Sequence, residues 1–186
     1  MTRLSRTLAA IDDANAADPD RSEGAPAARL YGERMTKELE QLFPDASEEL
    51  RIAARGQHIE RWTSPRGAWP EGREGYLAWR RDLADFHARR VGGIMAAEGY
   101  GPGSIDRVGR MIRKEGIKRE PEVQALEDVI CFTFLRWYFQ PFAEGRDGEG
   151  LERIVAKTAR KMSAGARARA LSEFALPEPL AAAFRG

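Results

Sequence analysis

The clearest helical pattern in the chain is residues 76–98, YLAWRRDLADFHARRVGGIMAAE. Its apolar face is made by seven residues at helical spacing: Tyr76, Trp79, Leu83, Phe86, His87, Val91 and Ile94. A stripe that recurs every three to four residues is typical of an amphipathic helix packed against a core. The pattern predicts a long helix here, with His87 on or beside its buried face.

The remaining segments carry the same kind of pattern, and no alternating run bounded by turn residues indicates a β-strand. Helices are expected at residues 3–17, about 28–43, from Pro44–Ser47 to His58, 105–115, 121–140, 147–162, 164–174 and 177–184. Asp45 or Ser47 is available as the N-cap of the third of these. We therefore predict an all-α fold of a single domain, with an N-terminal helix and loop (1–27), a helical core (28–145) and a C-terminal extension (146–186).

The segment from Pro121 to Gln140, just before Pro141, is apolar nearly all round. A helix of that kind is typical of the middle of a protein. Between Val123 and Leu135 its only charged residues are Glu127 and Asp128. Buried carboxylates need an ion pair, hydrogen bonds or a metal. Asp128 is therefore a candidate ligand, and the alternative is a buried carboxylate that pairs with an arginine to hold the bundle together.

The composition limits the classes of function. The 186 residues include 30 basic and 29 acidic side chains, for a net charge of +1. This balance counts against a dedicated nucleic-acid binder. The single cysteine, Cys131, excludes a disulfide framework and a Cys-rich zinc site. The sequence shows no apolar signal core and no run long enough to span a membrane, so a cytoplasmic protein is expected.

The most polar place on a packing helix is Gln57-His58-Ile59-Glu60-Arg61-Trp62. His58, Arg61 and Trp62 have i, i+3, i+4 spacing, which brings their side chains together if the helix persists. His58 is either a pocket residue or a surface histidine at a helix end. Residues 63–75 form a long irregular connection between helices, and such loops are often pocket walls or lids. Arg66 and Trp69 within it are candidate ligand contacts.

Polar groups stand on four separate core-forming helices: Tyr31, Glu33 and Arg34; His58, Glu60 and Arg61; His87; and Glu127 and Asp128. All-helical proteins build sites from side chains of facing helices. Two imidazoles and a carboxylate suit a divalent metal such as Mn, Zn, Fe, Co or Ni. The cations Arg61, Arg66, Arg80 and Lys114 suit an anionic substrate. For His87 the alternative is a core histidine with a hydrogen-bond partner.

The order of motifs resembles the HD-domain superfamily of metal-dependent phosphohydrolases. More closely, the chain resembles the DUF4202 family through residues 30–36, 57–62 and 124–129. The HD resemblance implies an HD-like helical bundle in which His58, His87 and Asp128 bind a divalent metal. Tyr31 stands where the superfamily has its first histidine, and Ile59 stands where it has the aspartate of its His-Asp pair. Glu33 or Glu60 is the candidate to compensate for these two missing ligands, and both are candidate catalytic residues.

Two functions follow as hypotheses. The first is a metal-dependent hydrolase of a phosphorylated small molecule or nucleotide. Its expected substrate-binding residues are Tyr31, Arg34, Arg61, Trp62, Arg66, Trp79, Arg80 and Lys114. The alternative is a non-catalytic HD-like domain with a degenerate metal site that binds a ligand or a protein partner. Nucleic-acid binding through Arg61-Trp62 and Arg80-Arg81 is a third possibility, against which the balanced charge counts. The oligomeric state stays open.

Overall fold

A computed structural model describes residues 1–144 and 148–185, and in these ranges the chain is helical with no β-strand. The α-helices are α1 (Arg3–Asn15), α2 (Ala27–Leu42), α3 (Glu48–Gly56), α4 (Gly72–Ala97), α5 (Pro102–Arg113), α6 (Pro121–Thr133), α7 (Phe139–Ala143), α8 (Gly148–Lys161), α9 (Ala164–Glu173) and α10 (Glu178–Arg185). The predicted all-α class is confirmed. Within the described ranges, no helix has the length and apolar character needed to cross a membrane.

The chain divides into two compact units, Met1–Glu115 and Gly116–Gly186. The boundaries predicted from the sequence, after residues 27 and 145, stay predictions. Residues 145–147 lie outside the described ranges, and the start expected for the helix at Asp147 falls among them. Each unit is described by itself below.

In the first unit, α3 packs against α1, α2 and α5, and α4 packs along α5. Ile52, Ala53 and Ala54 of α3 are completely buried. At the end of α3, a Cβ on Gly56 would stand 2.4 Å from Cγ2 of Val91 on α4, so only glycine allows this approach. The small side chains of α3 therefore let three helices close around it.

Polar contacts fix the same helices in register. Arg55 on α3 donates two hydrogen bonds of 2.6 Å to the carboxylate of Asp12 on α1. Asp18, which is 5% exposed, accepts a hydrogen bond of 2.8 Å from the N–H of Ala28 and so caps the start of α2. Ser47 Oγ accepts from the N–H of Leu50 at 3.0 Å, which identifies Ser47 as the N-cap of α3.

The chain leaves helical geometry directly after α3. Gln57 is the C-cap, and the next helical turn is a 3₁₀ turn, Arg61–Thr63. Between them, Glu60 adopts the left-handed conformation, with φ 49° and ψ 32°. The helix therefore does not persist to Trp62, because the backbone turns at Glu60, and the condition for the i, i+3, i+4 contact of His58, Arg61 and Trp62 is not met. The connection to α4 also contains a second 3₁₀ turn, Arg66–Ala68.

The second unit begins with α6, whose side chains are buried on most of its circumference, as predicted. The predicted end before Pro141 is wrong. A π-helical turn, Phe134–Tyr138, follows α6, and α7 begins at Phe139. Pro141 thus lies in the first turn of a new helix, where its missing N–H costs no intrahelical hydrogen bond.

Candidate functional site

A pocket of about 380 Å³ lies in the first unit. Its lining residues come from the turn after α3, one face of α4 and the end of α5: Gln57, His58, Arg61, Leu77, Arg80, Arg81, Leu83, Ala84, His87, Ile112, Arg113 and Lys114. This volume is at the lower end of the range for small-molecule sites.

One face of α4 runs along the whole pocket. Leu77, Arg80, Arg81, Ala84 and His87 follow one another at intervals of three, one, three and three residues, which places them on one side of the helix. Ten residues of α-helix correspond to about 15 Å. Leu77 is 47% exposed and His87 is 3% exposed, so the pocket leads from an open end at Leu77 to a buried end at His87.

The turn that carries His58 and Arg61 is held by contacts from distant parts of the unit. The N–H of Glu60 donates a 2.9 Å hydrogen bond to Oδ1 of Asn15, which is 1% exposed. The Glu60 carboxylate accepts hydrogen bonds of 2.7 and 3.1 Å from Arg90. These contacts support the left-handed backbone at Glu60, a conformation that costs a non-glycine residue free energy. They thereby position Arg61.

The end of α5 contributes in a similar way. Lys114 caps α5 in the left-handed conformation, with φ 62° and ψ 33°. The chain therefore turns at Lys114, and Ile112, Arg113 and Lys114 all line the pocket. Arg113 also donates a hydrogen bond of 2.6 Å to Glu115, which partly neutralises its charge.

The pocket is strongly cationic. Five of its lining residues carry a positive charge (Arg61, Arg80, Arg81, Arg113 and Lys114), and the lining includes no Asp or Glu. Arg61 and Arg80 are half-buried, and no carboxylate forms an ion pair with either of them in residues 1–144 and 148–185. Burial, followed by the charge of Arg80, lowers the pKa of Arg61. The two guanidinium groups therefore repel each other, and an anion between them would relieve this repulsion.

The Trp79 ring packs against the side chain of Arg61. The Arg61 guanidinium lies over the Trp79 ring, 4.9 Å from its centroid. The indole N–H of Trp79 donates to the carbonyl of Ser64 at 3.0 Å, which ties α4 to the loop after Arg61. Arg66 is also near this ring, at 6.0 Å, and donates to the carbonyl of Trp69. Trp79 and Arg66 are thus neighbours of Arg61 and do not themselves line the pocket.

The two histidines meet in the pocket, although they are 29 positions apart in the sequence. Their ring centroids are 6.0 Å apart. His58 also stacks on Tyr31, with centroids 4.0 Å apart and an interplanar angle of 18°. The His58 ring keeps partial exposure because one side of it faces the pocket.

Both imidazoles are neutral at physiological pH. Burial first, and then the charge of Arg61, lowers the pKa of His58 well below its usual value. Burial also lowers the pKa of His87 to about 4, and Arg61 and Arg80 add to this effect. The nearby backbone of Ile59 has the opposite effect and raises the pKa of His87, although its geometry does not meet that of a hydrogen bond. A neutral imidazole has one donor and one acceptor nitrogen.

The buried end of the pocket contains polar atoms without a protein partner. Both ring nitrogens of His87 and Oε1 of Gln57 have no hydrogen bond to any described residue. The Gln57 side chain is 5% exposed. The two interpretations of His87, as a pocket ligand and as a core histidine with a hydrogen-bond partner, both stay predictions. Since buried polar groups are nearly always paired, these three atoms indicate a place for a ligand group.

Several predicted site residues are engaged in ion pairs. Glu33 pairs with Arg29 at 3.0 Å, and Arg34 pairs with Glu23 at 2.5 Å. Glu60 pairs with Arg90, as described above. Trp62 is half-exposed and does not line the pocket. The roles predicted for these residues in catalysis and substrate binding stay predictions.

Asp128, the third predicted metal ligand, belongs to the second unit. Its Oδ1 accepts hydrogen bonds from the N–H of Ser163 at 2.8 Å and from Nε2 of Gln124 at 2.9 Å. Burial raises the pKa of Asp128, and the hydrogen bonds from Ser163 and Gln124 oppose this rise. Asp128 therefore ties the start of α9 to α6, which is a structural contribution. The neighbouring Glu127 lies 3.5 Å from Lys161.

The side chains that line the pocket do not fit a divalent cation. The pocket has two imidazoles but no carboxylate, and its five cationic side chains oppose a further positive charge. In the described ranges, no group of three or more His, Cys, Asp or Glu side chains is placed to hold a metal ion. A metal site made by His58, His87 and Asp128 stays a prediction.

Sequence reasoning named His58, Arg61, Arg80, His87 and Lys114, and all five line one pocket. It placed Gln57 on a packing face and did not recognise it as a pocket residue. It also missed the apolar lining made by Leu77, Leu83, Ala84 and Ile112. A signal was present on α4, because Leu77 and Ala84 have helical spacing to Arg80 and His87.

The fold and the pocket together define an all-α protein with a cationic pocket lined by two imidazoles. The chain belongs to the family described as a domain of unknown function, DUF4202, whose family model matches residues 5–183. The predicted membership is thereby confirmed, while the more distant resemblance to the HD-domain superfamily stays a prediction. No curated protein and no solved structure matches the chain.

Proposed function

We propose that this pocket binds a small organic phosphate. The observation that carries the proposal is the pair Arg61 and Arg80, half-buried at a pocket and without a carboxylate partner in the described chain. Guanidinium groups match the geometry of phosphate oxygens and form charge-assisted hydrogen bonds with them. Lys114 adds a further positive charge to the same lining.

Electrostatics favours an anion over a neutral ligand. The charge of Arg80 lowers the pKa of Arg61, so bringing these two cations together costs free energy in the unliganded protein. A phosphate dianion removes that repulsion and gains from the low dielectric of a partly enclosed pocket. The stacking of Arg61 on Trp79 and the anchored turn at Glu60 hold one guanidinium in place before the ligand arrives. This reduces the entropic cost of binding.

Calorimetric titration with inorganic phosphate tests the proposal. Arg61→Met and Arg80→Met are expected to weaken phosphate binding at least about tenfold, or about 1.4 kcal/mol each. Arg89→Met is the matched control, since Arg89 is an exposed arginine of α4 that does not line the pocket. Wild-type protein that fails to bind phosphate, or equal losses in all three variants, would refute the proposal.

Hydrolysis of the bound phosphate ester is a second candidate function. It is favoured by the two neutral imidazoles, whose rings lie 6.0 Å apart in the pocket. A neutral imidazole beside a bound phosphate can accept a proton from an attacking water. In this candidate His58→Ala abolishes turnover of phosphomonoesters and leaves the affinity for inorganic phosphate nearly unchanged.

Turnover assays with and without added Mn²⁺, Zn²⁺, Ni²⁺ or Fe²⁺ test the predicted metal dependence at the same time. Metal analysis of protein purified without chelator supplies an independent readout. Protein that binds phosphate and turns over no phosphoester under any of these conditions would instead support the non-catalytic alternative.

A further inference from the structure

The buried end of the pocket differs in chemistry from its cationic middle. Gln57 and His87 line it, and both are more than nine-tenths buried. His58, whose ring centroid is 6.0 Å from that of His87, is neutral and also lines the pocket. These groups carry no charge at neutral pH, so they do not add to the attraction for phosphate. They offer hydrogen bonds only.

Part of the hydrogen-bonding capacity of this end is unused within the described residues. Oε1 of Gln57 and both ring nitrogens of His87 lack a partner among the described residues. Burying such a group unpaired costs about 1–3 kcal/mol. One of the two nitrogens of a neutral imidazole is an acceptor, and the Gln57 carbonyl oxygen is another. A ligand group that donates hydrogen bonds therefore complements this end.

The position of these groups relative to the cations restricts the ligand further. His87 lies about two helical turns beyond Arg80 on the same face of α4. Arg61, Arg80 and His87 line the same pocket, and the charges of the two arginines contribute to the lowered pKa of His87. A ligand whose phosphoryl group contacts the arginines therefore extends its remaining part toward either the buried polar end or the open end at Leu77.

We infer that the pocket recognises a hydroxylated phosphate ester, such as a polyol or sugar phosphate, with Gln57 and His87 binding its hydroxyl groups. A hydroxyl both donates and accepts, so it satisfies either tautomer of His87. A site built to hydrogen-bond a hydroxyl discriminates against the analogue that lacks it, because the buried polar groups are then left unpaired. This inference rests on the proposed phosphate site at Arg61 and Arg80.

The test compares three probes on the full chain by calorimetry: inorganic phosphate, propyl phosphate and glycerol 3-phosphate. The two esters have the same three-carbon skeleton and differ by two hydroxyl groups. Glycerol 3-phosphate is expected to bind at least about tenfold more tightly than propyl phosphate. In Gln57→Leu and His87→Leu this difference is expected to fall below about twofold, while the affinity for propyl phosphate stays within about twofold of wild type.

The possible outcomes separate the two claims. Equal binding of the two esters by wild-type protein overturns the inference and leaves the phosphate site standing. Failure of all three probes to bind overturns the proposed function and the inference with it. A His87→Leu or Gln57→Leu variant that keeps the tenfold preference also overturns the inference. Circular dichroism and thermal melts of both variants check folding, and Gln57→Met is a second substitution that keeps the side-chain length.

Discussion

Replacing His87 by leucine is expected to make the protein less sensitive to acid. His87 is 3% exposed and its pKa in the folded state is lowered to about 4 from the usual 6.5. In the unfolded chain the imidazole binds a proton near pH 6.5, whereas in the folded protein it resists protonation until about pH 4. Between these values the unfolded state holds more protons, so the stability of the wild-type protein falls as the pH is lowered.

The size of the effect follows from the same two pKa values. A difference of about 2.5 pH units at about 1.36 kcal/mol per unit gives a maximum loss of about 3.4 kcal/mol, complete below about pH 4. At pH 5.0 the loss relative to pH 7.5 is about 2 kcal/mol. The leucine side chain does not titrate, and it leaves no unpaired ring nitrogens, so His87→Leu is expected to be about 1 kcal/mol more stable at pH 7.5.

Urea denaturation at pH 7.5 and pH 5.0 measures this difference. Wild-type protein should lose about 2 kcal/mol more than His87→Leu between the two conditions, or about 1 M urea in midpoint for a typical slope. The chain has only two histidines. His58→Leu and the double variant therefore separate the two contributions, since burial lowers the pKa of His58 in the same direction. Parallel pH dependence of wild-type and His87→Leu proteins would refute the reasoning.

Two further predictions concern stability. A Cβ on Gly75 would lie 2.0 Å from the carbonyl oxygen of Pro70, so Gly75→Ala should lower the free energy of unfolding by about 1–3 kcal/mol. In the same helix, a Cβ on Gly93 meets nothing within 4 Å, so Gly93→Ala should raise the free energy of unfolding by about 0.5–1 kcal/mol. Chemical denaturation compares them, and equal effects would contradict the assigned clash. Asp128→Ala should destabilise the protein by about 1–3 kcal/mol, while Asp128→Asn keeps an oxygen acceptor for Ser163 and should cost less. If the two variants lose equal stability, the hydrogen bond is not the reason.

The helices were largely predictable because their signals are local. The apolar stripe of residues 76–98 and the two candidate caps, Asp45 and Ser47, are signals that act within a few positions of the sequence. The structure has a helix at the stripe, although Tyr76 is 46% exposed, and Ser47 is the cap. The start of α4 was placed too late, at Tyr76 instead of Gly72, since the four residues before the stripe are polar or glycine. Periodicity detects the buried face of a helix and does not detect its exposed first turn.

The turn at Glu60 could not be predicted from neighbouring residues. Glutamate does not favour the left-handed region, and its conformation here is supported by Asn15 and Arg90, which are 45 and 30 positions away. The convergence of His58 and His87 was predicted from their place on core-forming helices. The position of Gln57 in the pocket was not predicted, because a neutral amide at a helix end has no distinctive sequence pattern. Only the structure shows that its buried oxygen lacks a hydrogen bond.

The straight face of α4 along the pocket has a consequence for how ligand preference can change. Leu77 and Ala84 lie on this face on either side of Arg80, and both contribute apolar surface to the pocket. Because they stand on the same helix as Arg80, a larger or smaller side chain at either position is expected to alter the length available to the proposed ligand without moving Arg80. The helix α4, which has 26 residues, thus sets the distances between Arg80 and the two apolar side chains.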